Sequence, residues 1–186
     1  MLTEDQLGEF IDEHFRSDLF RLETRTAYSV DSDGEDYSRY LRGEAEPSAP
    51  GKAEWLEHVR RERESGLISR RVNVLRAPLS EYQRYECEWG YTYLVEAGED
   101  VRILDLTNAP EGSEVLREIG DFFLIDGRQA LRMIYSGDDE FVGAEIVDAG
   151  QLSKYKSVAD AAWTLAEPFA EWWAAHPEHR RGRSAA

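Results

Sequence analysis

The chain has one cysteine, Cys87, so an intramolecular disulfide is excluded and a reducing compartment is expected. It also lacks any apolar run near the ~20 residues that cross a bilayer. Its first residues, Met1-Leu2-Thr3-Glu4-Asp5-Gln6, have neither the basic region nor the apolar core of a secretory signal. The expected location is therefore cytoplasmic, with no membrane partner. Positive charge is scarce: 22 basic residues stand against 38 acidic ones, a net charge of −16. A field of that sign repels phosphate backbones, so direct nucleic-acid binding is not expected. Histidine is scarce as well, with four in all. Two of them, His176 and His179, lie in the C-terminal tail and are too few for a metal site. The acidic run Asp31-Ser32-Asp33-Gly34-Glu35-Asp36 lacks the ligand spacing and closing glutamate of a calcium loop, and reads as a turn with a helix cap. Neither a metal nor a cofactor is expected. Cys87 sits between Glu86 and Glu88, whose charges raise a thiol pKa, so it reads as a structural residue.

What the chain does have suits a folded domain. Its 186 residues are 41% hydrophobic and 11% aromatic, enough for one core. Thr3 with Gln6 has capping-box spacing and opens a helix expected over residues 3–20, with Leu7, Phe10, Ile11, His14 and Phe15 on one face. Residues 20–31 become more β-branched, and an extended segment is expected near Ala27–Val30. A short helix follows from Asp36 to Leu41. Residues 43–53 carry two prolines and two glycines and form a linker. A helix from about Ala53 to Ser65 ends at Gly66.

The sheet is expected to begin at residues 69–76, where Val72 and Val74 alternate with polar neighbours. Ser80 and Gln83 repeat the capping-box spacing. They start a helix bearing Tyr82, Tyr85, Glu86, Trp89 and Tyr93 at three- and four-residue steps, closed by Gly98. Residues 101–106 form the next strand, giving a β-α-β unit with parallel strands. A short helix is expected at 114–118. The run Asp121-Phe122-Phe123-Leu124-Ile125-Asp126 is apolar enough for a central strand. Arg128–Ser136 and Phe141–Val147 follow as a hairpin around Gly137-Asp138-Asp139. One or two helices close the chain between Ser153 and Ala175, with Pro168 forcing a kink or a restart. The expected architecture is α/β with α+β character: a mixed, mainly five-stranded sheet flanked by helices. Residues 1–66 form an N-terminal helical segment packed on a core domain of residues 67–176, and residues 177–186 a flexible basic tail.

Several blocks in this order resemble an actinobacterial family of uncharacterised proteins, a domain of unknown function. They include Phe20-Arg21-Leu22-Glu23, Tyr40-Leu41-Arg42-Gly43-Glu44, Arg71-Val72-Asn73-Val74, Pro78–Glu86, Ala97-Gly98-Glu99-Asp100 and Asp121–Asp126. The likeness spans roughly residues 15–175. Genes of that family often lie near helix-turn-helix regulators, so the resemblance implies a regulatory role. The layout of residues 70–175 is also similar to one half of the phospholipase D superfamily. Placing Asp126 on that family's aspartate puts Asp121 at its lysine position and Ile119 at its histidine position. The likeness thus implies a scaffold without its nucleophile or its phosphate-binding cation.

Two functional readings stay open. The first is a non-catalytic regulatory, interaction or sensing module that works with a helix-turn-helix transcription regulator. In that reading Trp163, Trp172 and Trp173 make an interface, for a partner or for a homodimer. The second is a small-ligand binder or an enzyme using Arg71, Tyr82, Arg84, Glu86, Asp121 and Asp126, with the ligand at the strand ends. Ion pairing of Arg84 with Glu86 or Asp126 is the structural alternative. A nucleic-acid mimic is the weakest of the readings, because the acidity is diffuse.

Overall fold

The structure, a computed structural model, describes residues 1–28, 34–47, 50–108, 119–137 and 140–181. The expected helix at 114–118, Ser29–Val30 of the expected extended segment, Asp31-Ser32-Asp33 of the acidic run and the tip of the hairpin at Asp138-Asp139 lie outside those residues. The described elements run α1 (Glu4–His14), β1 (Asp18–Glu23), α2 (Gly34–Leu41), α3 (Pro50–Glu64) and β2 (Ile68–Leu75). Next come α4 (Glu81–Tyr85), a π turn (Glu86–Tyr91) and α5 (Thr92–Ala97), which form one continuous helical rod. The chain continues through β3 (Asp100–Asp105), β4 (Phe122–Ile125), β5 (Gln129–Tyr135), β6 (Phe141–Ile146), α6 (Leu152–Leu165), β7 (Glu167–Pro168) and α7 (Phe169–Ala175).

All seven described strands join one sheet in the order β6-β5-β4-β1-β2-β3-β7. Strands β1, β2 and β3 are parallel, and the others join antiparallel. Because side chains alternate across a strand, each strand feeds two different layers. Phe20, Leu22, Val72, Val74, Phe122 and Leu124 face α6, where Tyr155, Ala159 and Ala162 complete a core. The other face is covered by α1, by α3, by the α4–α5 rod and by α7. There Leu56, Val59, Leu75, Leu94, Ile103, Phe169 and Trp172 pack together, and Leu7, Phe15, Ile125, Leu131 and Met133 form a second group. Each large side chain buried in this way contributes about 1.5–3 kcal/mol.

Local signals explain much of this. The capping boxes at Thr3 and Ser80 are formed as their spacing predicts. Gly98 ends the α4–α5 rod with φ +111°, and a Cβ there would meet Arg63 Cγ at 2.9 Å, so glycine is required both by conformation and by space. Parallel pairing of β2 with β3 matches the β-α-β reading. The run at 121–126 supplies β4, which sits inside the sheet between β5 and β1.

The sheet has seven strands rather than five. The two additions are β1 and β7. Residues 18–23 carry Asp18, Arg21 and Glu23, charges that suit an exposed position, yet β1 lies at the centre of the sheet with two hydrogen-bonded neighbours. The expected helix over 3–20 ends at His14. Phe15 turns extended and buries its ring, and the amides of Arg16, Ser17 and Asp18 all donate to the Asp126 carboxylate. The closing helix divides at Pro168. Glu167 and Pro168 pair with Ile103 and Arg102 at the sheet edge, where a residue without an N–H is tolerated. Pro177–Arg181 of the basic tail lie against the core: the Arg181 guanidinium donates to the carbonyls of Tyr40 and Glu44.

Candidate functional site

The alternation that buries Phe20 and Leu22 under α6 turns Arg21 and Glu23 to the opposite face. Glu23 is 1% exposed and gathers four partners. Arg21 Nε lies 3.0 Å and Arg71 Nη1 2.8 Å from its Oε1. Tyr91 Oη donates to its Oε2 at 2.9 Å, and Asn73 Nδ2 donates there at 3.2 Å. Arg71 Nε donates to Glu99 Oε1 at 2.7 Å, so this guanidinium bridges two carboxylates. Burial opposes charge on Glu23, but the two guanidiniums and the hydrogen bonds from Tyr91 and Asn73 outweigh it and hold the carboxyl below its usual range. The network pairs its charges with one another and gives the sheet a polar floor, with the buried Asn73 Oδ1 left without a hydrogen-bond partner.

Above that floor is a cavity of about 630 Å³, within the range of roughly 300–1,000 Å³ usual for small-molecule sites. Strands β1, β2, β4 and β5 form its base through Arg21, Glu23, Arg71, Phe123, Met133 and Tyr135. The α4–α5 rod forms one wall through Tyr82, Tyr85, Glu86, Gly90 and Tyr91, while α2 and α3 close other sides through Asp36, Lys52 and Trp55. Tyr28 stands at the edge, with ring centroids 5.9 Å from Tyr82 and 5.7 Å from Tyr135. Tyr82 and Tyr85 lie 5.7 Å apart. A second cavity of about 520 Å³ shares Arg21, Trp55, Arg71 and Phe123 with the first and extends along β1 between α1 and α3.

The π turn shapes this wall. In a regular α-helix, Glu86 would be followed on the same face by Trp89 or Gly90 and then Tyr93. The extra residue of the π turn places Tyr91 over Glu23 and leaves Tyr93 half-buried beside the α3–α5 packing. Thr92 Oγ1 donates to the Cys87 carbonyl at 2.8 Å across the same turn. Such insertions recur at functional sites.

Of the residues predicted from the sequence, Arg71, Tyr82 and Glu86 come together on this cavity. Arg84 is half-buried and lines neither cavity. Asp121 lies just behind the tyrosine wall. Its Oδ2 accepts from Tyr28 Oη at 2.6 Å, and its Oδ1 accepts from Thr24 N at 2.8 Å and Oγ1 at 2.7 Å. Asp126 sits at the far end of β4 and binds the chain that enters β1. Burial pushes its pKa up, but these hydrogen bonds prevail and hold it below the usual carboxylate range. Ile119, at the position equated above with a histidine, is buried in the α6 core. The larger of the two cavities lies over the sheet face under the α4–α5 rod.

The tryptophans do not form one surface. Trp172 is 1% exposed and donates Nε1–H to Asp105 at 3.2 Å. Trp163 packs on the opposite face of the sheet, with Arg102 Cζ 4.2 Å above its ring. Pro168 divides the helix between them, so the expected stripe is split. Cys87 is fully buried, and burial, with Glu86 and Glu88, pushes its thiol pKa well up.

Reading the sequence missed Arg21, Glu23, Tyr28, Tyr91 and Tyr135. The signal for the first two was present: Phe20-Arg21-Leu22-Glu23 alternates strictly, which is the pattern of a strand with one charged face. No helix of the described residues is long and apolar enough to cross a membrane. No curated protein matches the sequence. A family model matches residues 5–174, nearly the whole chain. The chain therefore belongs to the family described as domain of unknown function DUF6879.

Proposed function

We propose that this protein is a non-catalytic sensing module that binds a small organic ligand in the tyrosine-walled cavity. The observation that carries the reading is the cavity itself: about 630 Å³ of space with an aromatic wall on a floor of mutually neutralised, buried charges. Such a floor orients a ligand without reacting with it. The carboxylates at positions 121 and 126 are committed to hydrogen bonds with Thr24, Tyr28 and residues 16–18, which supports a binding role over acid–base chemistry. The likeness to half of a phospholipase D fold belongs to the same proposal, as a scaffold without its reactive residues. Ligand occupancy would be passed to a partner. The partner we propose is a helix-turn-helix transcription regulator in the cytoplasm, where a free, buried Cys87 is stable.

The test is thermal denaturation of the purified protein with a panel of small metabolites, alongside Gly90→Leu. Gly90 borders the cavity, and a Cβ there would be in ordinary contact with Glu86 Cβ at 3.8 Å, so a side chain leaves the helix without a clash at its first carbon. At saturation on the order of 100 times Kd, a ligand should add about 2.7 kcal/mol to wild-type stability and less to the variant. If no compound stabilises the wild type, or if a stabilising compound is consumed, the proposal fails.

A further inference from the structure

Two lobes of empty space meet over this face of the sheet. The larger, about 630 Å³, lies under the α4–α5 rod, and the smaller, about 520 Å³, lies between α1 and α3. Arg21, Trp55, Arg71 and Phe123 line both, so the lobes share a seam of four side chains. A helical glycine borders each lobe: Gly8 in α1 beside the smaller, and Gly90 in the π turn beside the larger. Glycine weakens a helix interior. Neither position needs it for packing. A Cβ at Gly8 would meet nothing within 4 Å, and one at Gly90 would make only ordinary contact with Glu86 Cβ at 3.8 Å. Neither has the positive φ that favours glycine. What both omit is a side chain at a cavity wall, and that keeps the two lobes open.

The seam is built to meet a flat ring. Of the large apolar side chains exposed among the described residues, Trp55 alone lines either cavity, and it is 50% exposed. Its indole stacks on His58, with centroids 5.4 Å and planes 19° apart, which fixes the ring in place. Arg21 faces Phe123 across β1 and β4, with Cζ 5.1 Å from the ring centroid. Its Nε pairs with Glu23, and its terminal amino groups hydrogen-bond to no other described residue. Those N–H groups remain for an acceptor at the seam. In the larger lobe, Tyr28, Tyr82 and Tyr135 are tilted by 59° and 60° to one another, so the wall offers ring faces and ring edges together.

We infer that both lobes belong to one site, which takes an elongated, flat aromatic compound carrying a carbonyl near its middle. One ring lies among the tyrosines, the carbonyl accepts from Arg21 beside Trp55, and the second ring reaches the lobe between α1 and α3. This rests on the ligand-binding reading above and adds the second lobe and the ligand's shape.

Three compounds test it by equilibrium dialysis: flavone, which has a central carbonyl and a ring at each end; chromone, which lacks the second ring; and flavan, which lacks the carbonyl. Flavone should bind about tenfold or more tighter than either. Gly8→Leu, Gly90→Leu and Trp55→Ala should each weaken flavone roughly tenfold. Gly8→Leu should leave chromone binding unchanged, which also shows that this variant is folded. Flavone binding that is weakened by Gly90→Leu but not by Gly8→Leu overturns the two-lobed site and leaves the cavity reading intact. Flavan binding as tightly as flavone overturns the role of Arg21. If none of the three binds, the ligand class is overturned, and the metabolite panel decides the cavity reading separately.

Discussion

Asp121 and Asp126 bracket the same strand and differ in every physical respect. Asp126 is partly exposed and closes the gap between α1 and β1 by accepting three backbone amides and the Ser17 hydroxyl. Its φ of +50° is tolerated because aspartate adopts the left-handed region more readily than most residues. Asp121 is buried, and burial pushes its pKa up, opposed only in part by hydrogen bonds from Thr24 and Tyr28. A carboxyl whose pKa is higher in the folded chain than in the unfolded one favours the folded state most when protonated. That contribution is full below the unfolded value of about 3.9 and is lost as pH rises through the folded value. Asp121→Asn does not titrate. Urea unfolding across about pH 4 to 7 should therefore show wild type losing stability relative to the variant as pH rises. A constant difference, or one of opposite slope, would show that Asp121 is not perturbed in this way.

Helix α2 depends on sequence at both ends of the chain's core. It packs Tyr37 and Tyr40 against Tyr82, Tyr85 and Trp89, and so forms a side of the cavity. Arg181 clamps it from the other end of the chain. The guanidinium lies 3.9 Å from the Tyr40 ring centroid and donates to the carbonyls of Tyr40 and Glu44, while its backbone amide donates to Glu88. Arg181→Ala should cost roughly 1–3 kcal/mol in chemical denaturation, with faster amide exchange in α2 than in β4. A cost within ~0.5 kcal/mol, typical of an ordinary surface change, would refute the clamp.

Legibility from sequence divides at this same scale. Elements marked by caps and glycines, such as α1's start, the α4–α5 rod and β2–β3, follow from local chemistry. Strand β1 did not, because Arg21 and Glu23 look like surface residues until Arg71, Asn73 and Tyr91 are known to meet them. The α4–α5 rod was placed correctly but phased wrongly after Glu86, since a π turn adds a residue that a 3.6-residue period cannot anticipate. Three of the six candidate polar residues reached the cavity because they face inward from β2 and the rod. The expected tryptophan face divides because Pro168 sends Trp172 into one core and leaves Trp163 on the other.

At the scale of the whole molecule, each described edge of the sheet carries a small device. Leu2 bridges Ala144 on the β6 edge, with hydrogen bonds of 2.6 and 2.9 Å. Pro168 terminates the other edge through β7. The helices leave one face packed solid by α6 and the other hollowed between α1, α2, α3 and the α4–α5 rod. Backbone amide shifts in NMR spectra recorded with increasing amounts of a compound that stabilises the wild type should change at Tyr28, Tyr82, Glu86 and Gly90 and stay fixed along α6. Shifts that spare those four residues, or that centre on α6 or on the far end of β4 at Asp126, would contradict binding in the cavity.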